Sequence, residues 1–316
     1  MVPMNKISRG LLTLGAATSL AILPACGSSS GSSSSTNGSS TSGKQLKIVT
    51  AFYPFQYATQ QVTGDKADVS SLTAPGAEPH ELELTARQVA ELSKADLVIY
   101  EKGFQGAVDK AMEQAEPKNV LDVSTLVDPI PATGVDEDGH AASGNDPHIW
   151  LAPKNMQAIT KGIADKVKTI DQADAAAIDE NLKKADTAFS DLDKEFTTGL
   201  GTCQRKDFIT SHAAFAYLAK AYGLNQIGIS GLSPDEEPSP ARIAEVQGLA
   251  KSKGITTIFY ETLVSPAQAE SIAGDLKLRT DVLDPIEGIT KDSKGTDYIA
   301  VQQANLAALK TANGCK

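Results

Sequence analysis

The chain reads as an α/β protein of two lobes, each a mainly parallel sheet covered by helices, joined by one long helix with the ligand site in the cleft. Three observations predict this. Short apolar runs alternate with helical patterns from Gln45 to Asp122 and again from Phe208 to Lys310, the alternation that parallel sheets require for their crossovers. Between the two series an apolar stripe at helical spacing runs from Gln172 to about Thr198. His80, His148 and His212 each stand just past a strand pattern or at a helix entrance, the edge at which open parallel sheets present ligands.

Taken in order, Gln45 to Thr50 is a buried strand, Pro54 to Val62 a helix and Ala67 to Leu72 a second strand. The loop Ala74-Pro75-Gly76-Ala77-Glu78-Pro79-His80 leaves the carboxyl end of that strand. Thr85 to Lys94 is helical, Leu97 to Tyr100 a strand, Gly106 to Gln114 a helix and Val120 to Asp122 a short strand. From Pro129 to Asp146 the periodicity is lost, and Asp136, Glu137, Asp138 and His140 gather in an exposed acidic loop.

Asn145-Asp146-Pro147-His148-Ile149-Trp150-Leu151 follows. Pro147 fixes its own φ and biases Asp146 toward an extended form, so His148 leaves a stiffened turn at the mouth of a helix. Met156, Ile159, Ile163, Val167 and Ile170 form that helix's apolar stripe. The stripe restarts after Asp171 with Ile178, Leu182, Ala185, Phe189, Leu192 and Phe196, and Asp171 and Asp174 suit the N-cap and first turn. At ~1.5 Å per residue, a helix over 172–198 is roughly 40 Å long and suits a connection between lobes.

The second half repeats the first in kind. Phe208 to Thr210 is a strand leading to His212, Phe215 to Tyr222 a helix stopped by Gly223, and Gln226 to Ile229 a strand. Ser239-Pro240 caps a helix that ends at Gly254, and Thr257 to Tyr260 is a strand leading into Glu261. Ser265-Pro266-Ala267-Gln268 has the form of a capping box. Asp281 to Leu283 is the last strand, delivering Asp284-Pro285, and Tyr298 to Lys310 closes the fold.

The N-terminus carries Lys6 and Arg9, then an uncharged run from Gly10 to Ala25, then Leu23-Pro24-Ala25-Cys26-Gly27. A small residue before cysteine and glycine after it match the bacterial lipobox, so residues 1–25 read as a lipoprotein signal and Cys26 as the acylated N-terminus. Residues 26–44 add a Ser/Gly-rich tether that buries nothing. The remainder divides into an N-terminal lobe (45–171), a linking helix (172–198) and a C-terminal lobe (199–316). This places the folded part outside the cytoplasmic membrane, lipid-anchored on the cell surface or periplasmic side. The net charge of −10 argues against nucleic acid and against anionic lipid as partners. With Cys26 carrying lipid, Cys203 and Cys315 remain as an even pair in an oxidising compartment, which favours a disulfide.

Only four histidines occur, and neutral imidazole is the commonest transition-metal ligand, so convergence of His80, His148 and His212 on a metal is the economical reading. Three imidazoles and a carboxylate suit tetrahedral Zn²⁺ and not Ca²⁺ or Mg²⁺, while Mn²⁺ binds such a set more weakly. For the carboxylate the candidates are Asp284, Glu261, Glu287 and Glu78. Asp284 is preferred, because Pro285 restrains it at the end of an apolar strand; Glu261 is the alternative, or an acceptor for a histidine N–H.

The lipobox, the tether, Pro79-His80, Asp146-Pro147-His148-Ile149-Trp150-Leu151, Ser211-His212-Ala213-Ala214-Phe215-Ala216-Tyr217-Leu218, Ile258-Phe259-Tyr260-Glu261 and Leu283-Asp284-Pro285-Ile286 together resemble the solute-binding lipoproteins of bacterial zinc/manganese ABC importers. The resemblance covers nearly everything from Gln45 onward. It implies a monomeric binding protein that clamps a metal between two lobes and passes it to a membrane permease. Histidine at position 212 resembles the zinc branch; manganese members commonly carry glutamate there. Two departures stand out: the histidine-rich loop of many zinc members is reduced to His140 and three acids, and Ala152 replaces the usual acid. A secreted zinc hydrolase is the alternative of another class, but Leu84 breaks a His-Glu-x-x-His pattern at His80-Glu81 and no nucleophile motif occurs, so no enzyme is expected.

Overall fold

The computed structural model describes residues 45–132 and 144–316. The signal, Cys26, the tether and His140 lie outside the described residues.

The first half builds a sheet from β1 (Leu46–Thr50), β2 (Ala67–Ser71), β3 (Leu97–Tyr100) and β4 (Val120–Asp122) in the order β2-β1-β3-β4. Every pair in it is parallel, with α1 (Tyr53–Thr63), α2 (Ala86–Leu92) and α3 (Gly106–Ala115) as crossovers. Leu97, Val98 and Ile99 of β3 are all fully buried, because helices cover a parallel sheet on both faces and leave no wet side for alternation. Thr85 caps α2 through a reciprocal box with Gln88.

Two helices follow, α4 (Pro153–Ile170) and α5 (Ala175–Leu200). Pro153 sits in the first turn of α4, where its missing N–H costs nothing. Helix α5 starts at Ala175, three residues after the expected Gln172, because the Asp171 carboxylate accepts the Ala173 N–H and holds a turn in front of it. Its 26 residues span about 39 Å and bury Ile178, Ala185, Phe189, Leu192, Phe196 and Leu200 along one side. That side packs on α1 and α4 of the first half and on α9 (Tyr298–Asn313) of the second. Each large side chain in the stripe contributes about 1.5–3 kcal/mol by burial, so one helix is cemented to both halves.

The second half repeats the architecture with β5 (Asp207–Thr210), β6 (Asn225–Gly228), β7 (Thr257–Tyr260) and β8 (Arg279–Val282) in the order β6-β5-β7-β8, again all parallel. Helices α6 (Ala216–Tyr222), α7 (Pro240–Ser252) and α8 (Ala267–Leu276) connect them. Gly223 ends α6 at φ +65°, a left-handed conformation that glycine adopts freely. The expected capping box at Ser265 does not form: the helix starts after Pro266 with no side-chain cap, and the Gln268 carboxamide oxygen accepts from Ser230 instead. In each sheet the first strand lies between the second and third, so successive crossovers leave it in opposite directions and a crevice opens at the carboxyl ends.

One core cluster runs through both halves, from Ile48 to Ala312, and Trp150 lies inside it. Its indole meets Phe52 edge-on at 4.7 Å and Phe104 at 5.2 Å between ring centroids. The single 3₁₀ turn Ile149–Leu151 is held from α9: the Tyr298 hydroxyl donates to the Trp150 carbonyl and the Gln302 amide to the Leu151 carbonyl. These polar side chains of α9 are fully buried, which is affordable only because each has a backbone partner across the core.

Candidate metal centre

Each half delivers two side chains to the crevice. His80 comes from the loop after β2. Gln105, itself buried, donates to the Pro79 carbonyl at 2.9 Å and to the Thr73 hydroxyl at 3.1 Å, which fixes that loop against α3. His148 follows Asp146-Pro147: the Asp146 carboxylate accepts the His148 backbone N–H at 2.8 Å and its ring Nδ1–H at 2.9 Å. His212 follows β5, and its carbonyl accepts from Thr210 and Gln226 side chains at 2.6 and 3.0 Å. Glu287 arrives after β8.

The ligand-type atoms of His80, His148, His212 and Glu287 all lie within 4.8 Å of one another. Oε1 of Glu287 stands 3.4, 3.8 and 3.7 Å from the Nε2 atoms of His80, His148 and His212. For bonds of ~2.0–2.1 Å the edge of a tetrahedron is about 3.3–3.4 Å, so the three distances to Glu287 are close to that edge, while the group as a whole draws together further to hold one ion. A carboxylate only accepts, so Asp146 fixes the His148 proton on Nδ1, and Glu261 does the same for His212 at 2.7 Å. The Nε2 atoms of both rings are thereby turned inward, and both are buried without a hydrogen-bond partner. Three side chains of the group are essentially shut from solvent and His80 is 9% exposed, which makes its edge the approach. Phe104 packs edge-on against that ring at 4.7 Å.

Electrostatics follow from burial. Burial lowers the His148 pKa against the pull of Asp146, with the neighbouring imidazoles adding to the decrease. His212 is pushed well above its ordinary value: burial opposes its charge, but the Glu261 and Glu287 carboxylates outweigh that. Burial likewise opposes the charge on Glu287, yet His80 and His212 hold its carboxyl well below the usual range. The group brings three imidazole nitrogens and one carboxylate oxygen together, and for a metal to bind there His212 would have to give up the extra proton that its neighbouring carboxylates favour.

The profile of the zinc-uptake complex component A family, described as periplasmic, matches residues 48–312. The chain belongs to that family. It is 38% identical to the zinc-binding lipoprotein AdcA of Streptococcus pneumoniae over 277 residues, which are 84% of this chain and 55% of AdcA. The chain thus spans about half the length of that relative. It is 34% identical to the high-affinity zinc uptake system protein ZnuA of Bacillus subtilis over 302 residues, 92% of this chain and 93% of the relative. The Zn(II)-bound ZnuA-like domain of the pneumococcal AdcA superposes with a TM-score of 0.73 at 35% identity, covering 85% of this chain and 99% of that one. The laminin-binding protein Lmb of Streptococcus agalactiae, described as having adhesin and metal-transporting activity, gives 0.76 at 30% identity with coverage of 85% and 99%.

In this member of the zinc-uptake family the expectation for Asp284 is corrected. It is not one of the converging four; Glu287 is. Both Asp284 oxygens are engaged locally: Oδ1 accepts the Ile286 N–H at 2.7 Å, and Oδ2 accepts the hydroxyls of Thr262 and Ser293 at 3.1 Å each. Burial pushes its pKa up to about 6 against those three donors. Proline does restrain the strand end as expected, but the chain turns again at Ile286, and the next acid reaches the crevice. The sequence holds one sign of this: Glu287 is the only acid in the run Leu283–Ile289 besides Asp284, and an isolated acid among apolar residues is either buried for a purpose or not tolerated.

Glu261 lies against His212 and also accepts the Ser211 hydroxyl at 2.8 Å. Glu78 sits 4.0 Å from His80 Nε2, and burial pushes its pKa up to about 7 against the attraction of His80. The role of Asp146 escaped the sequence reading; an aspartate two residues before a histidine is the signal, since that offset lets a short carboxylate reach both N–H groups. Cys203 and Cys315 form the expected disulfide, at the edge of the second half and away from the four converging side chains.

Proposed function

We propose that this chain captures Zn²⁺ outside the cytoplasmic membrane, as a monomer tethered through lipid on Cys26, and delivers it to the permease of an ABC importer. The body works as two lobes, 45–171 and 199–316, on either side of the long helix. His80, His148, His212 and Glu287 are the ligands. The observation that carries this reading is the convergence of three imidazole nitrogens and one carboxylate oxygen while Asp146 and Glu261 occupy the outer nitrogens of two of the rings. One carboxylate against a dication leaves the four-ligand set at +1, and the carboxylates of Asp146 and Glu261 bring the surrounding shell to −1, so burying the ion costs far less than burying it bare. A nitrogen-rich, oxygen-poor set favours Zn²⁺ over Mn²⁺ at comparable supply. With His148 and His212 inaccessible, the ion reaches its site and leaves it past His80, by the two lobes parting.

The family membership supports the zinc assignment and the importer, and the names of the relatives point the same way. Titration of metal-free protein with Zn²⁺ and Mn²⁺, in competition with a chromophoric chelator, tests it. One Zn²⁺ per chain is expected, displacing Mn²⁺, with affinity lost in His148→Ala and His212→Ala. Wild-type zinc affinity in both variants overturns the ligand set. Mass analysis of the processed N-terminus tests the lipid on Cys26.

A further inference from the structure

Ile286 adopts φ +59°, a left-handed conformation that is a genuine outlier for a β-branched residue. It stands immediately before Glu287 and is fully buried. Such a conformation persists only where the surroundings impose it, and here they do so at four points. The Asp284 backbone N–H donates to Asn305 Oδ1 at 2.9 Å and the Asp284 carbonyl accepts from Asn305 Nδ2 at 2.7 Å, so one buried side chain of α9 clamps that residue on both sides. The Pro285 carbonyl accepts the Trp150 indole N–H at 2.7 Å. The Ile286 N–H is taken by Asp284 Oδ1 at 2.7 Å, closing a local turn. Thr262 and Ser293 hold the other oxygen of the same carboxylate, so Asp284 cannot swing away.

From this arrangement we infer that Asp284 is a positioning residue for zinc capture: its turn onto Ile286 holds that residue in the left-handed conformation and so pre-aims Glu287 before the ion arrives. The inference rests on Glu287 being a zinc ligand. A carboxylate aimed in advance does not lose rotamer freedom at the moment of binding, and that saving is the quantity at stake. Extended backbone at Ile286 would carry the following side chain away from the three histidines. The strain stored at Ile286 is offset by the clamp from Asn305 and Trp150, none of whose hydrogen bonds uses an atom of the four converging side chains. Asp284 therefore acts through Glu287 and touches no ion.

A double-mutant cycle on the full chain separates this role from a purely structural one, with zinc affinity read by chelator competition. Asp284→Ala weakens zinc about two- to tenfold, the cost of immobilising one rotamer-rich side chain on binding. Asp284→Asn keeps an oxygen for the Ile286 N–H and stays within about twofold of wild type by the same measure. In the Glu287→Ala background, Asp284→Ala has no further effect, because there is nothing left to aim. Asp284→Leu removes the acceptor without opening a cavity and is carried alongside, so that loss of folding in one variant leaves the other to report. Unchanged affinity in Glu287→Ala overturns the ligand assignment itself. Weakened affinity there, with wild-type affinity in folded Asp284→Ala, overturns the positioning role alone. Equal losses from Asp284→Ala with and without Glu287 also overturn it, as does failure of both Asp284→Ala and Asp284→Leu to fold.

Discussion

The indole Nε1 of Trp150 donates to the carbonyl oxygen of Pro285 at 2.7 Å, across 135 residues of sequence. The bond joins the turn that follows His148 to the turn that precedes Glu287, so a proposed ligand of the first half and a proposed ligand of the second share one buried anchor. Phenylalanine at position 150 would keep most of the aromatic packing and leave the Pro285 carbonyl without its partner. Trp150→Phe is expected to lower the unfolding free energy of the zinc-free protein by about 1–3 kcal/mol for that carbonyl, with a further loss for the smaller ring. Urea denaturation followed by circular dichroism checks this; an unchanged midpoint and slope would show that the bond contributes nothing.

Much of this was legible in the residues. Val and Ile runs alternating with helical stripes specify parallel strands and crossovers, so both sheets and the long helix follow from periodicity. The three histidines were legible because Pro79 and Pro147 mark rigid junctions and because the chain holds so few. What escaped was tertiary. Asp284 and Glu287 are three residues apart, and which of them faces the histidines depends on a left-handed Ile286 that no propensity predicts, set among the turn of Asp284 and contacts from Asn305 and Trp150 in distant parts of the chain. The cap at Ser265 failed for the same reason in reverse: local chemistry suited it, but Gln268 found Ser230.

Asp146 and Glu261 orient rings without reaching the centre themselves. Asp146→Ala and Glu261→Ala each free an imidazole to rotate and to take the other tautomer, and each is expected to weaken zinc binding by about 10–100-fold. Asp146→Asn is more harmful than its size suggests, since an amide can present its N–H₂ to Nδ1 and favour the wrong tautomer. Competition titration of each variant provides the measurement. Wild-type affinity in both alanine variants would mean that packing alone orients the rings.

The Cys203–Cys315 disulfide closes a loop of 112 residues around most of the second half. The Arg205 guanidinium donates to the Ala312 carbonyl at 2.8 Å and the Thr256 hydroxyl donates to it at 3.0 Å, so the end of α9 keeps contacts of its own when the bond is cut. A Cys203→Ser, Cys315→Ser protein is expected to lose about 2–5 kcal/mol of stability and to keep its zinc affinity. Chemical denaturation and zinc titration of the double variant give both numbers. A large loss of affinity without loss of stability would contradict the separation between bond and site.

Glu101, at the end of β3, is 4% exposed, and its Oε2 has no hydrogen-bond partner. Burial raises its pKa well above the ordinary value, and the charges of Asp146 and Asp122 raise it further. The sign of the linkage is definite. The folded state binds this proton more tightly than the unfolded chain, so stability is greatest where both states are protonated and declines as pH climbs from about 4.5 toward the raised pKa. Glutamine mimics the protonated acid and does not titrate. Zinc-free Glu101→Gln should therefore match the wild type near pH 4.5 and melt at increasingly higher temperature than it as pH rises toward 8. The separation should be about 2–4 °C for each kcal/mol that ionisation costs in a body of this size. Thermal midpoints of both proteins across that range settle the matter, since every other titrating group is common to the pair. Parallel curves with a constant offset would mean that Glu101 has the same pKa folded and unfolded and that its effect is one of packing.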